Sequence, residues 1–545
     1  MRSQILISIL FKVGIFNIVF SQNCLPEGIS FYSQNQIDNF SINYPGCTQI
    51  DGNVLIKEFV DSDITNLAGI FHLTSINGNL KIQSNDALSN LLDLENLTEV
   101  GGSLFIHSNS SIEDLKGLDN LVSIGGSLWI FGNNSLVNLS GLENLSWIGN
   151  SVRVDWNDSL TSFNGLEGIS IINGGLRIEH NDILQNMSGL ESISFINEYL
   201  TIYSNYELSS LNGLNNLTTI MGEVWIESNL ALPNFEGLES LETIGKSFRI
   251  RHENALVNFN GLENLKTIDS TFSLYRNDNI VNFEGLGELQ AIGKDLEILI
   301  NIKLANFIGL NKLTSINGNV RIEGNTELTN LSGLESLKRI AGKFEISGNV
   351  SFSSFEGLDS LLTIGYDFDI SNNYELASLE ELNNLDTIGG RLLLKNINLL
   401  SSLKGLDYLN GLPENVYLRN CPNLSDCSIL SICRFLEDPY NIIGLNDNAI
   451  GCNTREEIES NCELVLDIQD FKRYEIGFFP NPVRNYITIK GINKGKYCIF
   501  NSLGLKVLED KFHQSEINVS GLQKGNYILQ IISNNIIVNE NFVKI

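Results

Sequence analysis

Apolar residues recur along most of this chain with a period of 24, without a single insertion or deletion, over residues 67–424. A glycine marks each unit and aligns fifteen of them, from Gly69 to Gly405. Asp93 and Glu381 are the two replacements of that glycine. A fixed period of this length is typical of solenoids, in which each coil buries its apolar face by stacking on its neighbours. The sequence therefore predicts a long stack of 24-residue coils.

Two apolar positions stand two residues apart in every unit, as Leu128 and Ile130 do in the third one. The first is always Leu, Val or Phe, and the second is always Ile, Leu or Val. This alternation is the pattern of a short strand with one face buried. Coils stacked at the spacing of paired strands, about 4.8 Å, form a parallel sheet about 70 Å long. We therefore predict a mainly β fold, with Leu128 and Ile130 facing inward.

An asparagine follows the predicted strand in twelve of the first fourteen units. An inward amide can hydrogen-bond the backbone of adjacent coils and satisfy groups that would otherwise be buried unpaired. Glu253 and Ile397 are the exceptions, and Cys421 takes the position in the fifteenth unit, where we expect a buried thiol. The predicted structural ladder consists of Asn85, Asn109, Asn133, Asn157, Asn181, Asn205, Asn229, Asn277, Asn301, Asn325, Asn349 and Asn373.

The repeated motif Leu-x-Ile-x-x-Asn resembles the core of the leucine-rich repeat. The closer similarity is to the receptor L domain, the leucine-rich β-solenoid module of growth-factor-receptor ectodomains and fungal cell-wall proteins. Residues 47–56, Cys-Thr-Gln-Ile-Asp-Gly-Asn-Val-Leu-Ile, resemble its first strand, and Ile-x-Gly-x-Leu-x-Ile resembles its repeating core. The resemblance implies a leucine-rich β-solenoid that binds an extracellular partner, and it implies no particular ligand.

The composition changes near the C-terminus, where residues 475–545 hold eight Lys or Arg against five Asp or Glu. Short β-prone runs separated by Gly and Asn turns predict a small antiparallel β-sandwich there. The segment resembles the type A C-terminal sorting domain of the type IX secretion system of Bacteroidetes. The motifs that carry the resemblance are Pro480-Asn481-Pro482-Val483, the turn Asn501-Ser-Leu-Gly504, the run Gly521-Leu-x-x-Gly525-x-Tyr527 and the terminal Phe-Val-Lys.

That resemblance implies that outer-membrane secretion machinery carries the protein across the outer membrane of a Gram-negative bacterium. The sorting domain is then removed, and the protein is released or attached to the cell surface. Residues 1–21 fit a secretory signal peptide, because a short apolar stretch follows Arg2 and a small residue, Ser21, stands at the expected cleavage site. An uncleaved membrane anchor is the alternative, and Lys12 in the apolar stretch speaks against it. No other apolar run reaches the length of a membrane span, so we expect no transmembrane segment in the mature chain.

The eight cysteines avoid the repeats almost entirely and group at their two ends, as expected of disulfide-closed caps in an oxidising compartment. Cys24 and Cys47 are predicted to pair. Four further cysteines are predicted to form two bridges, in one of three connectivities that the sequence leaves open. They are Cys427, Cys433, Cys452 and Cys462. A zinc site is the alternative for these four, although no CxxC spacing occurs. Cys498 is expected to be a buried thiol.

The predicted organisation has six parts. A signal peptide (1–21) precedes an N-terminal cap (22–66), in which an irregular coil with Ile50, Val54 and Ile56 covers the end of the sheet. The other parts are the solenoid (67–424), a cysteine-rich cap with a helix near 428–436 (425–462), a linker (463–474) and the sorting domain (475–545).

The net charge of −29 argues against a nucleic-acid partner, because phosphate binding requires clustered positive charge. The sequence also has no GxSxG, HExxH or P-loop motif, so we predict no enzymatic activity and no cofactor. His180 and His252 share a column but stand three coils apart, about 14 Å, too far to share a metal. Asp367 and Asp369 suit either calcium or, as we expect, an acidic surface exposed to solvent.

The variable outward positions of the strands are the best candidates for function. Aromatic residues and arginines concentrate there in the N-terminal half, and such residues form the hot spots of binding surfaces. The assigned binding face consists of Phe105, His107, Trp129, Phe131, Arg153, Asp155, Trp156, Arg177, Tyr203 and Trp225.

We therefore predict an exported scaffold that binds an extracellular protein or glycan, as an adhesin does. Three other interpretations stay open. The aromatic residues can serve only to stabilise the sheet. The protein can be a coat protein without a specific ligand. It can also be a glycan-active enzyme, for which Arg153, Asp155, Arg177 and Glu179 are the one candidate group.

Overall fold

The computed structural model describes residues 22–59, 63–462, 477–490, 494–513, 515–533 and 536–545. The predicted signal peptide and the whole of the predicted linker lie outside these residues. The described chain divides into two compact units, one of residues 1–427 and 434–455 and the other of residues 428–433 and 456–545. Each unit is described here by itself.

The first unit is a stack of coils whose longest sheet, here called the front sheet, is parallel throughout. From Leu80–Gln83 to Asn415–Arg419 its pairing advances by 24 residues from strand to strand, so that Trp129 lies beside Arg153 and Phe105. Its strands are Ile29–Phe31, Val54–Ile56, Leu80–Gln83, Leu104–His107, Leu128–Phe131, Val152–Asp155, Leu176–Glu179, Leu200–Tyr203, Val224–Glu227, Phe248–Arg251, Phe272–Tyr275, Leu296–Leu299, Val320–Glu323, Phe344–Ser347, Phe368–Ser371, Leu392–Lys395, Asn415–Arg419 and Ile442–Asn446. The predicted solenoid and its register are thus confirmed.

A second line of short parallel strands runs along the stack, one just before each front strand from Ile29–Phe31 to Leu392–Lys395. In the N-terminal part these are Gln22–Cys24, Cys47–Ile50, Ser75–Ile76, Glu99–Val100, Ser123–Ile124 and Trp147–Ile148. The line continues as a separate sheet with Ile171–Ile172, Phe195–Ile196, Thr219–Ile220, Thr243–Ile244, Thr267–Ile268, Ala291–Ile292, Ser315–Ile316, Arg339–Ile340, Thr363–Ile364 and Thr387–Ile388.

The interior of the stack is filled by the apolar columns that the repeat predicts. Leu128 and Ile130 have no exposed surface, and the same holds for Ile124. Phenylalanines replace leucines in the middle coils and stack on one another there, with 5.4 Å between the ring centroids of Phe259 and Phe283. Burial of these columns is the main source of stability, because no coil can hide its apolar side chains alone.

The repeated glycine is required by a close approach between coils. Gly117 has a φ of +107°, and a Cβ at this position would lie 1.9 Å from the carbonyl oxygen of Leu91. Only glycine combines that left-handed conformation with so little space. The two coils that replace it, at Asp93 and Glu381, form 3₁₀ turns instead, Leu92–Leu94 and Glu380–Leu382. A third such turn is Ala68–Ile70.

The asparagine column forms the predicted ladder. Asn133 donates from Nδ2 to the carbonyl oxygen of Ile106 at 2.9 Å, and the backbone N–H of Asn109 donates to Asn133 Oδ1 at 3.1 Å. Each amide therefore satisfies backbone groups of the preceding coil, and all twelve asparagines are fully buried. After Cys421, Asn448 resumes the pattern and donates to the carbonyl oxygen of Leu418 at 2.9 Å.

One member of this column is a carboxylic acid. Glu253 is fully buried, and its Oε1 accepts from the backbone N–H of Asn229 at 3.0 Å and from its Nδ2 at 2.9 Å. The other oxygen, Oε2, has no hydrogen-bond partner among the described residues. Burial raises the pKa of Glu253 to about 8, against the hydrogen bonds from Asn229. A neutral carboxylic acid has one donor and one acceptor, so it matches the amide that it replaces.

The N-terminal end of the stack begins one coil earlier than the sequence indicates. Ile29–Phe31, and not the coil with Val54 and Ile56, is the first strand of the front sheet. The helices Gln34–Asp38 and Phe40–Asn43 follow it, and a disulfide joins Cys24 to Cys47. The missed coil has the paired apolar residues, Ile29 and Phe31, but it pairs with the next coil at an offset of 25 residues, outside the 24-residue spacing that revealed the repeat.

The cysteine-rich segment contains the helix Leu430–Leu436 and further helical residues at 455–462. Disulfides join Cys427 to Cys452 and Cys433 to Cys462, which selects one of the three open connectivities. Cys421 is a buried free thiol, and burial raises its pKa. Cys498 is also free and buried. No described helix is long and apolar enough to cross a membrane.

The C-terminal residues form two antiparallel sheets. One contains Gly477–Phe479, Tyr486–Lys490 and Glu516–Asn518, and the other contains Lys506–His513, Lys494–Asn501, Gly525–Ser533 and Ile536–Lys544. Both sheets contribute to one apolar core, with Ile487 and Ile517 from the first and Ile499 and Leu529 from the second. Asn481 holds the last strand, since its amide donates to the carbonyl oxygen of Asn541 and accepts from the N–H of Val543.

Candidate binding face

The outward side of the front sheet carries a continuous cluster of aromatic rings, here called the aromatic patch. Phe105 and Trp129 meet edge to face with ring centroids 5.1 Å apart. His107 stacks on Phe131 at 4.3 Å. The rings are half-buried because parallel pairing places each one directly against its neighbour in the next coil. The patch consists of Phe105, His107, Trp129, Phe131, Trp156, His180, Tyr199, Tyr203 and Trp225.

Cations lie beside these rings. The guanidinium carbon of Arg153 is 5.6 Å from the centroid of Trp129, and Lys81 Nζ is 5.9 Å from that of Phe105. His107 is a neutral partner, because burial and the charges of Lys81 and Lys57 lower its pKa to about 4. Its Nε2 lies 3.0 Å from Gln83 Oε1, so the neutral ring donates that hydrogen bond.

The turn after the strand adds two further rings. Trp156 and His180 occupy the same position in adjacent coils, with φ values of +56° and +51°. Their rings stack at 3.8 Å, and His180 meets Tyr203 edge to face at 5.2 Å. Trp156 is 52% exposed, which makes it the most accessible aromatic ring of the patch.

Asp155 of the predicted binding face and Glu179 of the nominated catalytic group are less accessible than expected. Asp155 lies on the outward side of its strand, but its side chain has no exposed surface. Arg153 and Arg177 fold over it and form ion pairs with it, and burial raises the pKa of its carboxyl to about 6. Glu179 pairs with Arg177, and its side chain is 8% exposed. Asp155 therefore cannot contact a ligand, and the four residues nominated as a catalytic group are largely satisfied by one another.

The patch ends in a pocket of about 580 Å³ that spans three coils. Thr201 forms its floor, because this short side chain follows the long Arg153 and Arg177 in the same outward column and precedes Trp225. We call it the Thr201 pocket. Its lining residues are Arg177, Glu179, Tyr199, Thr201, Tyr203, Glu223, Trp225 and Glu227.

Tyr199 is positioned by a glycine in the preceding coil. A Cβ on Gly175 would lie 2.4–2.5 Å from three atoms of the Tyr199 ring, so the ring rests directly on the glycine backbone. The corresponding residues of the earlier coils, Ser103, Ser127 and Ser151, are all small. We did not assign Tyr199 from the sequence. The sequence does contain a signal, because Tyr199 is the one aromatic residue of its column and directly follows the one glycine of that column.

Each carboxylate of the pocket uses one of its two oxygens to bind a neighbouring side chain of the protein. Trp225 Nε1 donates to Glu227 Oε2 at 2.7 Å, which fixes the orientation of the indole. Arg249 forms an ion pair with Glu223 Oε2, as Arg177 does with Glu179 Oε2. The guanidinium of Arg251 lies over the Trp225 ring, 5.7 Å from its centroid. A second oxygen of each carboxylate remains as an acceptor for a ligand.

The described residues contain no group of His, Cys, Asp and Glu that could hold a metal ion. The expected solvent-exposed acidic surface is found only in part, because the side chain of Asp367 is 34% exposed but that of Asp369 is covered. Arg391 and Lys343 converge on Asp369 with contacts of 2.6 Å each, and its side chain is 6% exposed. Burial would raise the pKa of Asp369, but the hydrogen bonds from the two cations outweigh it and lower that pKa. Ion pairing between coils, which the column pattern does not reveal, explains the difference.

Comparison with known proteins identifies two segments. Residues 477–544 match the secretion system C-terminal sorting domain, and residues 170–236 match the receptor L domain. The second match contains every residue that lines the Thr201 pocket. No curated protein matches the chain. The chain is thus a receptor L-domain-like β-solenoid that carries a type IX secretion sorting domain and is exported to the cell surface or the extracellular space.

Proposed function

We propose that the protein is an adhesin-like binding scaffold whose aromatic patch and Thr201 pocket engage an extracellular ligand. The observation that carries the proposal is the distribution of outward residues along one regular sheet. In the N-terminal half, aromatic rings and arginines cluster around an open pocket. Towards the C-terminal end, the same column carries Arg321, Glu345 and Asp369, which pair with neighbouring charges.

The architecture supports binding because it holds the side chains rigidly. Outward residues such as Trp129 and Trp225 stand on strands that are paired on both sides, and the buried ladder follows each of these strands. Such a surface loses little conformational entropy when a ligand binds, and aromatic and arginine side chains give the largest contributions in binding sites. Secretion to the cell surface or beyond places this surface in contact with extracellular partners. In this proposal export starts from the signal peptide predicted at residues 1–21.

The two other candidate functions have weaker support. In the group nominated for a glycan-active enzyme, the carboxyl of Asp155 is buried beneath two arginines and that of Glu179 is paired with Arg177, so this group offers no accessible pair of carboxylates. A coat protein without a ligand does not require an open pocket, yet the shortest outward side chain of this region stands between Tyr199, Tyr203 and Trp225.

The proposal is tested with the full-length exported protein on an array of oligosaccharides and extracellular matrix proteins. The variant Trp129→Ala/Trp225→Ala should weaken binding to any positive spot by about 2 kcal/mol or more if these residues are hot spots. Trp147→Ala is the matched control, because Trp147 is 52% exposed but belongs to the second line of strands. Equal binding by all three proteins would place the site elsewhere, and an array without positive spots would contradict the proposal.

A further inference from the structure

We infer that the Thr201 pocket binds a neutral sugar ring of an extracellular glycan. This inference rests on the proposed function and gives it a ligand class. Three features support this inference. They are the width of the pocket between the strands of Arg177 and Trp225, the aromatic rings around the pocket, and the acceptor oxygens fixed within it.

The width suits one pyranose ring. Arg177 and Trp225 stand on strands two apart, and Thr201 lies between them. The backbones of the strands that carry Arg177 and Trp225 are two strand spacings apart, about 10 Å. This distance leaves room for one flat ring above the threonine. Arg251 covers one side of the Trp225 indole, so the other side faces the pocket. Tyr199 and Tyr203 close the two ends of the same strand.

The aromatic rings provide the apolar contact that a sugar requires. One face of a pyranose presents C–H groups, and these pack against the electron-rich face of an aromatic ring. The indole of Trp225 is held in place by its hydrogen bond to Glu227, and the ring of Tyr199 is held against Gly175. Both rings are therefore fixed before a ligand arrives, which lowers the entropy cost of binding.

The polar groups suit hydroxyl groups. Glu223 and Glu227 each use Oε2 for a protein partner, and each retains Oε1 as an acceptor. Hydroxyl groups of a sugar can donate to such acceptors, and the charged acceptor makes these hydrogen bonds stronger than neutral ones. Arg177 adds donors on the opposite wall, and the hydroxyl of Thr201 can donate or accept at the floor.

The charges around the pocket favour a neutral ligand over an ion. Three carboxylates, those of Glu179, Glu223 and Glu227, are balanced by three guanidinium groups that contact them or the Trp225 ring. These cations belong to Arg177, Arg249 and Arg251. A lysine or quaternary ammonium group would meet arginines already in place, and an acidic sugar would meet the carboxylates and a chain of net charge −29.

The test uses the full-length exported protein and isothermal titration with neutral hexasaccharides of glucose, mannose, galactose, xylose and N-acetylglucosamine. A hexasaccharide of galacturonic acid serves as the charged counterpart. We expect saturable binding of at least one neutral probe and a much weaker response to the acidic one. Thr201→Trp, which fills the pocket, and Tyr199→Ala, which removes one end of it, should each weaken that binding about tenfold or more.

Trp147→Ala is the control and should bind within about twofold of the unchanged protein, since a surface change away from the pocket has little effect. Thermal melting of each variant establishes that it is folded. The inference is overturned if no neutral probe binds, or if Thr201→Trp leaves saccharide binding unchanged. If a matrix protein still binds through Trp129 and Trp225 in that case, the proposed function stands and only the sugar is wrong. If neither class of probe binds, both proposals fail.

Discussion

Asn229 and Glu253 are joined inside the solenoid by two hydrogen bonds, from the backbone N–H and Nδ2 of Asn229 to Glu253 Oε1. The other carboxyl oxygen, Oε2, is buried without a hydrogen-bond partner among the described residues, so a negative charge there would be costly. The pKa of Glu253 is raised to about 8 by burial. The folded chain therefore holds a proton here at pH values at which the unfolded chain has released it.

This difference predicts how stability depends on pH. A raised pKa in the folded state means that the stabilising contribution is complete below the unfolded value of about 4.5 and is lost as the pH rises towards 8. Across that interval the loss approaches about 1.4 kcal/mol for each pH unit. Glu253→Gln carries a permanent amide, so its advantage over the unchanged protein should grow from pH 5 to pH 8 in denaturant titrations. Glu207→Gln, at an exposed position, is the control. If the difference in the free energy of unfolding between Glu253→Gln and the unchanged protein is the same at every pH, Glu253 is ionised in the folded state.

Substitution of the repeated glycine should destabilise the protein far more than substitution of a glycine outside this column. Gly117→Ala places a Cβ against the carbonyl of Leu91 in a left-handed conformation, and we expect a loss of roughly 3 kcal/mol or more. Gly287→Ala is the matched control, because nothing lies within 4 Å of the added atom. Replacing it should change stability by less than about 1 kcal/mol. Similar effects of the two substitutions on the melting temperature would contradict the tight contact between coils.

The aromatic patch should contribute to stability as well as to binding. Trp129 is half-buried between Phe105 and Arg153, so Trp129→Ala removes two ring contacts that are worth about 0.5–1.5 kcal/mol each. Ile130→Ala, one residue further on, should cost roughly 2–5 kcal/mol because it opens a cavity in the core. Chemical denaturation of both variants measures the two losses. A larger loss for Trp129→Ala than for Ile130→Ala would reverse the assignment of inside and outside.

Much of this fold could be predicted from the sequence, because the exact 24-residue period reveals which positions share a column. Leu128, Ile130 and the asparagines are buried as predicted, since their role repeats in every coil. The Thr201 pocket could not be derived in this way, because it depends on one coil differing from the next. Asp155 was misjudged for a related reason: whether a carboxylate is exposed depends on how neighbouring arginines fold over it, and the column pattern does not contain that information.

The disulfides give a direct chemical test. Peptide mapping without reduction should link Cys24 with Cys47, Cys427 with Cys452 and Cys433 with Cys462. Cys421 and Cys498 should react with an alkylating reagent only after denaturation, because both are buried. Reduction should lower the stability of the caps, as the loss of a native disulfide typically costs about 2–5 kcal/mol. Rapid labelling of Cys421 in the folded protein would contradict its place in the ladder.

The sorting domain should depend on the contact between Asn481 and the last strand. Asn481→Ala removes the hydrogen bonds to Asn541 and Val543, so the end of the chain is held less firmly. We expect less protein outside the cell and more in the periplasm, measured by fractionation and immunoblotting. Asn526→Ala, at an exposed position of the same domain, is the control. Export that is unaffected by Asn481→Ala would mean that the machinery tolerates a loosened terminus.

Because paired residues in adjacent coils are a constant 24 residues apart, the number of repeats in the solenoid can change by mutation without loss of the fold. Every ladder amide meets a partner exactly one unit away, so an in-frame loss or duplication of a whole repeat restores all hydrogen bonds across the new junction, whereas any other change of length leaves buried groups unpaired. Between Gly261 and Gly357 the loss or duplication of a coil would change the length of the solenoid and leave the Thr201 pocket unchanged. Within the three units that carry Arg177, Thr201 and Trp225 the same events would remove or duplicate the Thr201 pocket. Recombination between neighbouring repeats can thus change the ligand of this surface without passing through an unfolded intermediate protein.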